Sequence, residues 1–173
     1  MKIFISGSIS KKSLTEKELA CIAQIVEGRH TILIGDADGV DKAVQNVLAE
    51  QQYGNVVVYF SGKTVRNNLC NWQTKQIPNP ENLKGESCYQ LKDKEMVHEC
   101  DTGVMFGDGK SKRTKHNMDY MNALSKYHLV VPSKRSAFFR VYATTAEMYS
   151  IYINRGAFFT VHPDNPVFES VEG

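Results

Sequence analysis

The stretch LIGDADGVDKAVQ, residues 33–45, runs from an apolar segment through two glycines and three aspartates into an amphipathic pattern. A strand, a short loop and a helix in succession form the repeating unit of a parallel α/β sheet. Glycine in such a loop lets backbone amides come close to a ligand, and ligands of doubly wound sheets bind at the carboxyl ends of the strands. The stretch therefore predicts a strand, a binding loop and a helix.

The rest of the chain repeats this alternation. Apolar runs predict five strands, at residues 3–6, 31–34, 56–60, 103–106 and 128–131. Proline and asparagine residues in segment 71–85 predict a loop. Alternating strands and helices imply right-handed crossovers around a parallel sheet.

Helical spacing of apolar residues predicts the faces that the helices turn toward this sheet. The first helix is expected to pack through Leu19, Ile22, Ala23 and Val26, and the last through Met118, Met121 and Leu124. We expect a Rossmann-like three-layer α/β domain over residues 1–132, with a mainly parallel five-stranded sheet. Residues 133–173 are expected to form a C-terminal extension packed on the same domain.

Composition describes an ordinary globular domain. The 173 residues are 42% hydrophobic and 23% charged, with a net charge of +2. This balance argues against a membrane partner and against nucleic acid, because neither would be attracted to the protein as a whole. The four cysteines show no CxxC spacing, which is typical of free thiols in a reducing compartment, so a cytoplasmic location is predicted.

The aspartates of the opening stretch allow several interpretations. A calcium loop is excluded, because alignment from Asp36 puts Asp41 where that loop requires glycine. A magnesium ion held together with a phosphate ligand remains open, since that ion uses few protein carboxylates. Asp36 and Asp38 suit ribose hydroxyls or a base edge, and both are candidate catalytic acids. Asp41 could instead cap the helix that begins near Val40.

Two further glycine loops follow predicted strands. ISGSIS, residues 5–10, contains Gly7 and Ser8, and MFGDGKSKRTKHN, residues 105–117, contains Gly107 and Gly109. In strand order 3-2-1-4-5 these loops would face each other across a crevice. Several basic residues crowd the start of the helix after residue 110, where the helix end is already positive. A bound anion would offset that repulsion, although a solvated charge run is the plain alternative.

The segment after the third strand adds a third group of polar side chains. Arg66 and Asn67 follow this strand, and a guanidinium can bind a phosphate through two parallel hydrogen bonds. The whole predicted ligand-binding set lies in these loops: Gly7, Ser8, Gly35, Asp36, Gly39, Asp41, Arg66, Asn67, Gly107, Asp108, Gly109, Lys110, Thr114 and Asn117.

These motifs resemble the SLOG superfamily, which includes DNA-processing protein A and the "lonely guy" phosphoribohydrolases. The resemblance covers about residues 1–132 and is closest to small stand-alone members. It rests on FISGS, on GDADGVD where relatives have G-x-x-G-x-D, on Arg66-Asn67-Asn68, and on GDGKSKRTKHN where the hydrolases carry P-G-G-x-G-T-x-x-E. The resemblance implies a Rossmann-like fold that binds a nucleotide or a related phosphate ligand.

The chain departs from the hydrolases at two positions. Counted from Thr114, Arg113 replaces their second glycine and Asn117 replaces their catalytic glutamate. An amide cannot act as a carboxylate base or nucleophile. On one turn of helix, Asn117 would project toward the crevice, and a glutamate there should be tolerated.

Three functions remain open on the sequence. The leading interpretation is a nucleotide-binding sensor or carrier that self-associates, and the alternative is a hydrolase or transferase acting on the N-glycosidic bond of nucleotides. The second alternative is a single-stranded DNA binder that uses the basic run from Lys110 to Lys115 and aromatic residues such as Trp72.

Overall fold

A computed structural model describes residues 1–107 and 111–131, together with the backbone of Val141–Tyr142. Six strands form a parallel sheet: β1 (Lys2–Gly7), β2 (Thr31–Gly35), β3 (Val56–Phe60), β4 (Gln73–Gln76), β5 (Thr102–Phe106) and β6 (Tyr127–Val131). Strand β7 (Val141–Tyr142) adds antiparallel to β6. The order is β4-β3-β2-β1-β5-β6-β7, so the direction of winding reverses between β1 and β5.

Four helices connect these strands: α1 (Glu16–Glu27), α2 (Val40–Glu50), α3 (Glu86–Glu99) and α4 (Lys112–Ala123). One apolar core joins α1 and α2 to one face of the sheet through residues such as Ile22 and Val44. A second core joins α3 and α4 to the other face through Met96 and Met121. The three layers and the mainly parallel sheet confirm the predicted α/β class.

The predicted number of parallel strands, five, was wrong, because the described residues form six. Strand β4 lies within the segment predicted as a loop, and most of its residues are exposed at the sheet edge. Backbone pairing with β3 holds it, from Val57 opposite Gln73 to Phe60 opposite Gln76. A polar edge strand has no apolar alternation, so hydrophobic periodicity does not reveal it.

Two predicted core positions were also wrong. Leu19 is 39% exposed and Leu124 is 37% exposed. In α1 the buried face is shifted by one residue to Glu18, Cys21, Ile22 and Ile25. Glu18 can be buried because it forms a capping box with Thr15 and an ion pair with Lys11.

Most of the predicted extension, residues 133–173, lies outside the described residues. The four cysteines are free thiols, as predicted, and only Cys70 is exposed. Within the described ranges, no helix combines the length and apolarity needed to cross a membrane.

Candidate functional site

Three glycines of the predicted loops, Gly7, Gly35 and Gly39, are needed for packing inside the protein. A Cβ on Gly7 would come within 2.5 Å of Val40 Cγ2 and 2.6 Å of the Phe106 carbonyl oxygen. Gly39 has φ +75° and lies against the backbone of Ile9. The amide of Val40, at the start of α2, donates to the Ser8 carbonyl at 3.1 Å. The first loop of the protein therefore occupies this helix start.

The absence of a side chain at Gly35 leaves space for two charged side chains. A Cβ there would collide with Lys92 Nζ and Asp41 Oδ2. Lys92 extends from α3 and is completely buried, with its ammonium 3.3 Å from Asp93, 3.7 Å from Asp41 and 3.9 Å from Asp36. These three carboxylates surround one buried cation at the carboxyl ends of β1 and β2.

Two arginines complete this arrangement from outside. Arg66 donates to Asp36 through Nε at 2.9 Å and Nη2 at 2.6 Å. Arg113 donates to Asp93 in the same manner, at 2.6 and 2.8 Å. We call the six residues the buried charge network: Asp36, Asp41, Arg66, Lys92, Asp93 and Arg113. Three negative and three positive charges balance.

The network sets the ionisation of its acids. Burial favours the neutral form of Asp93, but Lys92 and Arg113 outweigh it and lower the pKa of Asp93 to about 2. Asp36 is likewise buried, yet its hydrogen bonds from Arg66 and the charge of Lys92 lower its pKa. Burial raises the pKa of Asp41 in spite of Lys92. Acids with opposed pKa shifts thus lie side by side at one edge.

Asp38 is the exception among the aspartates of this loop. Its side chain is 71% exposed, 4.0 Å from Lys42, and accepts a hydrogen bond from Asn67 at 3.3 Å. Asp36 and Asp93 each accept from an arginine, so Asp38 is the exposed carboxylate that could contact a magnesium ion carried by a phosphate ligand. The described residues bring together no group of three metal-binding side chains.

Gln45 joins the loop after β3 to the end of β2. It is fully buried, and its amide nitrogen donates to the carbonyl oxygens of Gly35 at 3.0 Å and Asn67 at 3.2 Å. Its oxygen accepts from the Leu69 amide at 3.3 Å. Asn67 in turn donates to the Asp36 carbonyl at 2.9 Å. These bonds hold Arg66 above Asp36.

Asn117 lies beneath the crevice. It is 2% exposed and donates to Ser6 Oγ at 2.9 Å, with Asp93 Oδ2 at 3.4 Å. A glutamate here would place a second carboxylate beside Asp93, which argues against the expectation that this position tolerates glutamate. Thr114, one turn earlier, is buried, and its hydroxyl has no hydrogen-bond partner among the described residues.

A small cavity marks the point where winding reverses. Its lining includes Ser6, Ala37, Asp41, Asp93 and Arg113. The volume is about 10 Å³, which is space for about one water molecule. Among the described residues, ion pairs of the network lie in the crevice that the sequence predicted between the loops.

The structure therefore brings together Gly7, Gly35, Asp36, Asp41 and Arg66 of the predicted set. Asp108, Gly109 and Lys110 lie outside the described residues. Trp72 is buried, and its indole nitrogen donates to the Tyr53 carbonyl, so it is a core residue and offers no stacking surface.

Sequence reasoning missed Lys92 and Asp93. Both lie on the buried stripe of α3, which otherwise consists of Cys88, Met96 and Val97. The sequence did contain a sign of them, since two adjacent charged residues interrupt an apolar stripe. Buried charges occur only when they are paired, so this interruption indicates a buried ion pair.

By sequence, the chain matches no family model and no curated protein. By structure, it is similar to DNA processing protein A from Helicobacter pylori, with a TM-score of 0.60 and 10% identity. The match covers 79% of this chain and 67% of the other. That protein is described for its single-stranded DNA binding mode.

This likeness corrects the expected partners. The prediction that a nucleic-acid partner is unlikely is contradicted, since a protein of similar fold is described for its binding of single-stranded DNA. The prediction rested on net charge, which does not describe how charges are distributed along one edge. At 10% identity the comparison shows the fold, and the chain has the Rossmann-type fold seen in DNA processing protein A.

Proposed function

We propose that the protein binds single-stranded nucleic acid by its phosphate backbone, along the carboxyl edge of the sheet. The observation that carries the proposal is that ion pairs occupy the predicted crevice among the described residues. The cavity that remains between them has space for about one water molecule, whereas a nucleotide bound inside the protein would need a pocket of its own size. An extended ligand on the surface needs no such pocket, and the similar fold of a single-stranded DNA binder supports this choice.

The charges at this edge suit a polyanion. The acids Asp36, Asp41 and Asp93 are buried and offset by cations within the network. Exposed cations belong to the loops that leave the strands and to the start of α4: Lys12, Lys63, Arg66 and Lys112. These exposed cations outnumber Asp38, the exposed acid that accepts from Asn67, so the described part of the rim can attract a phosphate backbone although the whole chain is close to neutral.

Fluorescence anisotropy with a labelled strand of about 12 thymidines tests the proposal. With three phosphate contacts, affinity should fall more than about tenfold between 50 and 200 mM salt. The Lys63→Ala, Lys112→Ala double variant should lower the slope of log affinity against log salt by about 0.7 per lost contact.

Lys2→Ala is the matched control, because Lys2 is an exposed cation with an acidic neighbour, Glu99, at the amino end of β1. It should retain the wild-type slope. The proposal fails if the strand does not bind at low salt, or if the control and the double variant behave alike.

A nucleotide is the second candidate ligand, and Thr114 favours it. Its buried hydroxyl lacks a partner among the described residues and lies in the first turn of α4, where an anion is stabilised. Calorimetry with nucleoside monophosphates should then show binding that Thr114→Val, of nearly the same shape, weakens. No heat at millimolar ligand would reject this candidate.

Hydrolysis of the N-glycosidic bond is the enzymatic form of this second candidate. It would need a carboxylate other than residue 117, and Asp38 is the exposed acid at this edge. Release of free base by the wild-type protein, lost in Asp38→Asn, is the corresponding measurement. SLOG membership, self-association and a cytoplasmic location stay predictions.

A further inference from the structure

We propose that Arg66 and Arg113 together hold one phosphate group beside the ring of Tyr89. A glycine at position 113, as in the phosphoribohydrolases, has no side chain that could contribute to this subsite. This inference rests on the proposed function and names the residues that grip the backbone.

The two arginines are held in the same way. Each donates Nε and Nη2 to the two oxygens of one buried aspartate. A guanidinium has five N–H donors, so three remain on each arginine, including both on Nη1. Among the described residues, no acceptor takes these donors, and the side chains are 36% and 17% exposed.

Tyr89 brings the two groups to one place. The guanidinium carbon of Arg66 lies 4.5 Å from the ring centroid, and that of Arg113 lies 5.9 Å from it. Arg66 comes from the loop after β3, Arg113 from the first turn of α4, and Tyr89 from the first turn of α3. Three elements thus converge on a half-buried aromatic ring, which attracts both cations.

An anion would resolve the electrostatics of this arrangement. Hydrogen bonds to Asp36 raise the pKa of Arg66, and the positive charge of Arg113 acts in the opposite direction. Asp36 and Asp93 offset this repulsion on the inner side only. A phosphate on the outer side has several oxygens and can accept from both guanidiniums, whereas each arginine keeps its aspartate.

The pairs also prepare the site for binding. Arginines held by buried carboxylates lose less side-chain freedom when a ligand binds than free surface arginines do. Asp36 therefore orients Arg66 for the phosphate and does not compete for the same donors.

A double-mutant cycle with Arg66→Lys and Arg113→Lys tests the subsite. Lysine keeps the charge that each aspartate needs but lacks the fork that binds two acceptors at once. Each single variant should weaken binding of the labelled thymidine strand about tenfold. The double variant should lose much less than about one hundredfold, because both arginines hold the same phosphate.

Thermal melts of each variant, with Lys2→Ala as the binding control, separate loss of contact from loss of folding. Thymidine monophosphate and inorganic phosphate serve as competitors, and they distinguish a phosphodiester from a terminal phosphate. If the competitors act through the same two residues at much higher concentration than the strand, a phosphodiester is the ligand.

Two results would overturn the subsite while leaving the proposed function intact. One is strand binding that both lysine variants retain at wild-type strength. The other is a loss in the double variant that equals the product of the single losses, which would mean two separate contacts. If neither strand, monophosphate nor phosphate binds the wild type, the proposed function and the subsite both fail.

Discussion

The protein carries two charge networks of similar composition and opposite exposure. The buried charge network centres on Lys92, which is fully buried among three carboxylates. The second, which we call the surface charge cluster, consists of Lys2, Lys75, Glu95 and Glu99. Lys75 and Glu95 are 40% and 39% exposed, with an ion pair of 2.9 Å.

Water accounts for the difference between them. Exposed ions keep most of their hydration, so their pairing adds little to stability. Buried ions have lost that hydration, and each depends on its partners to offset the loss. The buried charge network therefore fixes the positions of its side chains at the sheet edge. Removing one of its members should lower the free energy of unfolding far more than any change in the surface charge cluster.

Loss of the central cation should have the largest effect. Lys92→Met keeps an unbranched chain but leaves three carboxylates without it, and the free energy of unfolding should fall by about 3–5 kcal/mol. Denaturant unfolding at neutral pH measures this change. A loss below about 1 kcal/mol would mean that water reaches the site and that the network is not buried in solution.

Crowding of the network should come next. Gly35→Ala directs a methyl group at Lys92 Nζ and Asp41 Oδ2, neither of which can move without losing its partners. We expect a loss of about 2–3 kcal/mol, in the upper range for overpacking. Gly54→Ala is the control, because a Cβ there would contact nothing within 4 Å. Equal melting temperatures for the two variants would contradict the prediction.

Acid should remove the stabilisation that the buried charge network provides, over a defined pH range. The folded pKa of Asp93, about 2, lies below its ordinary value of ~3.9, so its ionised form stabilises the fold. That contribution, about 2 kcal/mol, is complete above pH ~4 and is lost as the pH falls toward 2. The raised pKa of Asp41 works in the opposite direction, because burial disfavours the ionised form of this carboxyl group.

Unfolding free energies measured between pH 5 and pH 2 should therefore decline steeply for the wild type and less for Asp93→Asn. Parallel curves for the two proteins would show that Asp93 does not carry the acid sensitivity.

The smallest effect belongs to the surface charge cluster. Lys75→Ala removes contacts to Glu95 and Glu99 at the sheet edge, and the free energy of unfolding should change by about 0–1 kcal/mol. High salt should reduce even this difference. A change as large as that of Lys92→Met would mean that exposure does not separate the two networks.

The sequence by itself determined the α/β class, five of the parallel strands and the edge where polar residues gather. These features follow from apolar runs and their spacing, which report local burial. The predicted strand ends put Asp36, Asp41 and Arg66 at the same edge of the sheet, and the structure has them there. The spacing of apolar residues did not predict β4, because this strand is held by backbone pairing at the sheet edge and its sequence, QTKQ, has no apolar pattern.

Only the tertiary structure decided what those residues do to one another. Lys92 and Arg113 lie 51 or more positions from Gly35 and Asp41, and periodicity carries no information about contacts over that distance. Folding brings α3 and α4 over the strand ends, where Lys92 pairs with the acids that follow β2 and Arg113 pairs with Asp93 of α3. Gly7, Gly35 and Gly39, which predicted open loops, serve this packing, because a side chain at each would collide with the network or with neighbouring residues.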